Sequence, residues 1–191
     1  MDPFNIYLIG VGGQGIGLLS EVILRAADHA GHPVKGVDTH GLAQRGGIVK
    51  SQVRIGAEAN SPLIMRGAAD LVVALERHEA LRGMNSALRD KGTLLYYNTV
   101  WQPLAVRLNR AEEVGEETIQ KACAQRNIRV ITVFQEDLTD ARMQNIVLLA
   151  HIDKLRLIPK ISTPHYHSAM SDLMDGRMLE KNRALFDALR G

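Results

Sequence analysis

The sequence predicts an α/β fold in which a mostly parallel sheet lies between helices on both faces. Three observations lead there. Apolar segments of strand length alternate with amphipathic segments of helical period along the first two-thirds of the chain. The first of these strands runs straight into a glycine cluster, and a later one, Asp70 to Leu75, is apolar almost throughout, as a strand covered on both sides must be. Right-handed β-α-β crossovers then give a three-layer, Rossmann-like core.

The opening run Phe4 to Ile9 ends at the glycines between Gly10 and Gly17, and apolar residues recur with helical spacing from Leu18 to Ala30, giving strand, tight turn and helix. Pro33 to Asp38 reads as a second strand and Thr39 to Gly47 as a loop with a second glycine pair. From Ile48 to Ile55 the residues alternate strictly, which suits a half-exposed strand at a sheet edge, with antiparallel pairing open to it. Asp70 to Leu75 is placed centrally. A helix from Glu76 to Asp90, a strand from Thr93 to Asn98, a helix from Glu112 to Arg126 and a strand from Arg129 to Phe134 continue the alternation. Beyond Asp140 strand signals stop, and helical patterns cover Ala141–Leu155, Ser168–Met174 and Met178–Leu189. The chain is read as one domain, 1–191, with an α/β core at 1–138 and a helical C-terminal cap or arm at 139–191.

With 191 residues, 46% hydrophobic and 23% charged, the chain suffices for one sizeable core. Its 23 basic and 21 acidic residues leave a formal +2 with no run of like charge, so no nucleic-acid partner is indicated. No apolar stretch approaches the roughly 18 residues of a membrane span, and no signal-peptide pattern precedes Phe4, so no membrane and a cytoplasmic location are expected. The single cysteine, Cys123, lies in an amphipathic pattern and reads as a small core residue rather than a reactive thiol. One thiol cannot hold an iron–sulfur cluster.

The turn Gly10-Val11-Gly12-Gly13-Gln14-Gly15 fits G-x-G-x-x-G, and Asp38 stands where dinucleotide folds place a ribose-binding acid. On spacing alone, a stand-alone NAD(P)-binding oxidoreductase or a nucleotide-binding scaffold of Rossmann type is therefore open. The helix start after such a turn offers free N–H groups and partial positive charge to an anion, whether a diphosphate, a carboxylate or a partner's acidic side chain. The plainer alternative is that the glycines only bring helix and strand close. If the first two strands are neighbours, the second cluster, Thr39-His40-Gly41-Leu42-Ala43-Gln44-Arg45-Gly46-Gly47, converges on the same crevice. Arg45 would grip an anion bidentately and His40 would carry a proton; otherwise Arg45 simply ties down a long loop. The binding candidates are thus Gly10, Gly12, Gly13, Gln14, Gly15, Gln44, Arg45, Gly46 and Gly47, with Arg45 and His40 the candidates for a catalytic role. Neither the Tyr…Lys set nor the His–Asp pair of a dehydrogenase stands out.

These two segments resemble the gamma-type domain of the 2-oxoacid:ferredoxin oxidoreductases. The resemblance runs through Gly10 to Gly15 with Gln14, the His40-Gly41 and Gln44-Arg45-Gly46-Gly47 run, and Val53-Arg54-Ile55. The His-Gly…Gln-Arg-Gly-Gly form is most similar to the beta subunit of the indolepyruvate oxidoreductases. Asp70, Asn98, Asn145 with Leu148-Leu149, and Asn182 with Phe186 also fit, while Ala150 stands where the family often has Gly. The resemblance implies an accessory subunit, inactive alone, of a complex that decarboxylates a 2-oxoacid oxidatively. It implies a larger partner subunit holding thiamine diphosphate, Mg and iron–sulfur clusters, with coenzyme A as acyl acceptor and ferredoxin reduced through the complex. This chain carries neither a Cys-rich segment nor a Gly-Asp-Gly…Asn signature, so it is expected to bind none of these cofactors alone. It belongs in a hetero-oligomer, with a homodimer open to the isolated chain.

Three smaller signals remain. His165-Tyr166-His167 is read as an extended loop without a third ligand, so no metal is assigned. Glu76, behind the central strand, is a candidate to orient Arg45 or a ligand, or else an ordinary acid in a first helical turn. The methionines of the terminal helices, Met143, Met170, Met174 and Met178, serve either as core filler or as a docking face, the latter favoured.

Overall fold

The computed structural model describes residues 3–40, 47–101, 112–138 and 140–191. Within them the strands are β1 (Phe4–Val11), β2 (Val34–His40), β3 (Ile48–Ile55), β4 (Ala69–Ala74), β5 (Leu88–Tyr97) and β6 (Arg129–Val133). The helices are α1 (Ile16–His29), α2 (Arg77–Ser86), α3 (Glu116–Ala124), α4 (Gln144–Lys154), α5 (Thr163–Leu173) and α6 (Gly176–Arg190). The strands form one sheet in the order β2-β3-β1-β4-β5-β6. From β1 outward through β4, β5 and β6 the pairing is parallel, while β3 is antiparallel to both β1 and β2.

Two sequence expectations are corrected here. β1 and β2 are not neighbours, because β3 lies between them, and β3 is therefore not an edge strand. Its alternation has another cause. Val49, Ser51, Val53 and Ile55 are buried beneath α1, while the opposite face is covered by residues 56–68, which bond to the polar side chains there. Gln52 accepts from Ile64 N at 2.7 Å, and Arg54 donates to Ser61 O at 2.9 Å. A polar face satisfied by a loop thus gives the same pattern as a face satisfied by water.

β4 is central as expected, with Leu71 and Val73 in the core on one side and Val72 and Ala74 in the core on the other. α1, α4, α5 and α6 cover the first side, and α2 and α3 the second. The C-terminal helices contribute Leu148, Leu149, Tyr166, Met170 and Phe186 to the same core as β1 and α1, each fully buried or nearly so. Burial of each such side chain stabilises by about 1.5–3 kcal/mol. Met143, Met170 and Met174 are therefore core residues; among the four terminal methionines only Met178 is exposed.

α5 starts earlier than its periodicity indicates. Ser162 and His165 form a reciprocal cap with Pro164 in the first turn, so His165-Tyr166-His167 is helical rather than an extended loop. His167 bonds Asp187 at 2.8 Å and His29 bonds Asp172 at 2.7 Å, joining α5 to α6 and to α1. Among the described residues no helix is long and apolar enough to cross a membrane, and no group of three potential metal ligands forms.

Candidate anion crevice

The glycine turn lies at the C-terminal ends of β1 and β4, where open α/β sheets bind ligands. Its shape is fixed from inside by Gln14, which is fully buried. The Gln14 Oε1 accepts from Val11 N at 2.7 Å and its Nε2 donates to Leu75 O at 3.2 Å, so the side chain ties the turn to the end of the neighbouring parallel strand. The carboxamide is spent on the backbone, and what the turn presents outward is main chain. Gly10 makes this possible, since a Cβ there would stand 2.9 Å from Gln14 Oε1 and 3.1 Å from Leu75 Cβ.

The second glycine cluster does reach the first, by a route other than the expected one. Because β1 pairs antiparallel with β3, Val11 faces Ile48, and Gly12 N donates to Gly47 O at 2.8 Å. The His40 side chain and Gln44, Arg45 and Gly46 lie outside the described residues. Asp38 is half-buried on β2, with its Oδ2 3.9 Å from the position of a Cβ on Gly17.

Gly13 and Gly15 take left-handed backbone, φ +104° and +83°. Gly15 is also the N-cap of α1. It supplies no side-chain cap, and no acidic residue stands in the first turn. A Cβ on Gly15 would lie 2.5 Å from Asn145 Nδ2, which donates to Gly15 O at 3.2 Å while Asn145 Oδ1 accepts from Ile146 N. Asn145 thereby joins the start of α4 to the start of α1.

In front of this turn lies a groove of about 560 Å³ lined by Gly13, Gly15, Leu18, Asn145 and, from the C-terminal part of the chain, Asp140, Arg142, Arg177 and Lys181. Arg142 pairs with Asp140 at 2.9 Å and holds that carboxyl down to about 2, so both remain charged at neutral pH. Arg177 and Lys181 form no ion pair among the described residues. An uncapped helix start facing two unpaired cations is suited to hold an anion. Sequence reasoning missed these cations because nothing local to α6 shows that it packs beside α4.

Glu76 does not join this groove. Fully buried, it caps α2, accepting from Glu79 N and from His78 N at 3.0 Å, and it bonds His78 Nδ1 at 3.2 Å. Since His78 Nε2 accepts from Val114 N, the ring proton sits on Nδ1 and points to Glu76. Burial raises the Glu79 carboxyl above its ordinary 4.5 against the pull of Arg82, with Glu76 adding repulsion. Cys123 is buried within 3.1 Å of Met84 Sδ, and burial pushes its thiol up to about 11, which leaves it protonated and unfit as a ligand or nucleophile at neutral pH.

With this geometry in hand, comparison with known proteins is decisive. Residues 5–190 match the family described as pyruvate ferredoxin/flavodoxin oxidoreductase. The chain belongs to that family. Among its relatives is the indolepyruvate oxidoreductase subunit IorB of Archaeoglobus fulgidus, 50% identical over 95 residues, which are 50% of this chain and 46% of that one. The IorB of Pyrococcus horikoshii is 28% identical over 193 residues, covering 98% of this chain and 94% of the relative. The match thus spans about half the length of the first relative and nearly all of the second. A keto/oxoacid ferredoxin oxidoreductase gamma subunit from Geobacter sulfurreducens superposes with a TM-score of 0.65 at 22% identity, covering 98% of this chain and 95% of that one, and shows the same fold. A stand-alone dinucleotide enzyme is set aside by this membership. Family and topology agree, since an antiparallel β3 occupies the place beside β1 where a dinucleotide fold carries its acid-bearing second strand.

Proposed function

We propose that this chain is the small subunit of a 2-oxoacid:ferredoxin oxidoreductase of the indolepyruvate type, acting only within a complex. It presents the anion-accepting wall of a crevice that a larger subunit completes. The observation that carries this reading is the uncapped start of α1 facing Arg177 and Lys181. Gly10, Gly12, Gly13 and Gly15 shape that wall, Gln14 and Asn145 hold it, and Gly47 joins it through Gly12 N; Gln44, Arg45 and Gly46, outside the described residues, stay binding candidates on their sequence alone. The anion that suits it is a diphosphate, as in coenzyme A, or a carboxylate of the partner. His40 and Arg45 remain the candidates for proton handling or anion grip there.

The chain's own donors do not fit an iron–sulfur cluster, since its one thiol is buried and held protonated, and no thiamine-type metal signature is present. Thiamine diphosphate, Mg and the clusters therefore belong to the larger subunit, which reduces ferredoxin. Here the small subunit's part is to bind, orient and exclude water. The test is affinity isolation of the tagged chain from its native cells. The expected outcome is a stoichiometric brown partner containing thiamine diphosphate, with oxoacid-dependent ferredoxin reduction. In that complex Arg177→Ala with Lys181→Ala should raise the coenzyme A KM about tenfold and leave thermal stability unchanged. A colourless chain eluting alone with a bound nicotinamide nucleotide would overturn the reading.

A further inference from the structure

The insertion of β3 beside β1 leaves β2 as the outer strand of the sheet. Its ladder with β3 is regular from Val34 opposite Ile55 to His40 opposite Val49. Gly56 N donates to Pro33 O at 2.8 Å, so Pro33 and Gly56 form a hydrogen-bonded pair, and in an antiparallel ladder such pairs alternate. Lys35, Val37 and Thr39 therefore turn their main-chain groups inward to β3. Val34, Gly36, Asp38 and His40 turn theirs outward, and among the described residues nothing pairs with them. Lys35 and Gly36 are exposed and Val37 is half-buried. The Lys35 side chain lies along the face, donating to Asn60 O at 3.0 Å, and does not block the edge.

We propose that this edge is where two copies of the chain pair, β2 against β2 in antiparallel register about a two-fold axis at Val37. The outward row is symmetric about that residue. Val34 then meets His40 of the other copy and Gly36 meets Asp38, so every outward N–H and C=O on both strands finds a partner. Side-chain chemistry agrees with the same register. Val37 faces Val37 at the axis, Lys35 faces Thr39, and Asp38 faces the side-chain-free Gly36, so no like charges stand opposite one another. A shift of two residues would set Asp38 against Asp38. The product is one continuous sheet whose two glycine crevices open at opposite ends, each free to meet its own large subunit. Every exposed edge calls for such management, by pairing or by blocking, and among the described residues no proline or bulge interrupts Val34–His40 and no helix covers its outer edge.

The inference does not depend on the catalytic reading, and a cysteine test isolates it, since buried Cys123 is unreactive. Facing residues of a non-hydrogen-bonded pair have Cα atoms about 4.5 Å apart, within disulfide reach. Val37→Cys should therefore oxidise to a linked dimer in high yield. Lys35→Cys should not, since its two copies would lie about 13 Å apart along the strands. Wild-type chain should sediment as a dimer, and Val37→Lys should reduce it to a monomer with an unaltered circular dichroism melt. A monomeric wild type, a Val37→Lys dimer, or equal linkage at positions 35 and 37 would overturn the proposal.

Discussion

β1 and β4 are neighbouring parallel strands, and each delivers the chain to the start of a helix at the same edge of the sheet, yet the two helix starts are built in opposite ways. At α2 a buried carboxylate, Glu76, closes the free N–H groups from within, and Glu79 adds a second acid to the first turn. At α1 the N-cap is a glycine, the first turn has no acid, Gln14 is turned inward to hold the strands, and Asn145 reaches the cap only to donate to Gly15 O. The same electrostatic opportunity is filled internally at one place and left open at the other. What distinguishes the two helix starts is thus whether the chain supplies its own anion.

The sharpest way to break this comparison is at Gly15. Gly15→Ala forces a Cβ onto left-handed backbone and against Asn145, and should cost about 2–4 kcal/mol in denaturant unfolding, from strain and from the bond lost to Gly15 O. Next comes Glu76→Ala, which strips the cap of α2 and leaves His78 Nδ1 unpaired, a loss of about 2 kcal/mol by the same measurement. Glu76→Gln, which keeps an accepting oxygen, should recover part of it. If Glu76→Ala were silent, the view of that carboxylate as a built-in anion would fail.

The smallest effect is a pH dependence at Glu79. Its folded value lies above the ordinary 4.5, so the folded state holds its proton longer than the unfolded chain does. The resulting stability is present in full below about pH 4.5 and is lost as pH rises through the folded value. Melting wild type and Glu79→Gln side by side from acid to neutral pH should show the wild type losing ground to the variant. Equal slopes would place Glu79 in water-like surroundings.

Most strands and helices could be read from the chain because burial on one face or two leaves a period of its own, as in Asp70 to Leu75. Neighbour relations left no such mark. The alternation of Ile48 to Ile55 reports that one face is polar, but not that Gln52 and Arg54 spend their polarity on residues 56–68 instead of on water. The glycine turn was legible as a turn, and Gly13 and Gly15 do adopt the backbone that only glycine takes readily. The sequence puts Gln14 among the binding candidates, whereas its carboxamide serves as an internal strut; residue type alone does not reveal which way an amide points. The cations Arg177 and Lys181 were invisible for a different reason, since they reach the groove only through the packing of α6 beside α4, a contact between segments far apart in sequence.

The antiparallel strand set into an otherwise parallel sheet also divides its pairings into one local and two distant closures. β2 and β3 need only close residues 41–47 to meet, whereas β1 reaches β3 across residues 12–47 and β4 across residues 12–68. Loop closure grows costlier with length, so the local hairpin closes at a smaller entropic cost than either pairing of β1. The strand that carries the glycine turn thus meets both its neighbours across long connections, and the crevice rests on the entropically costliest pairings of the sheet.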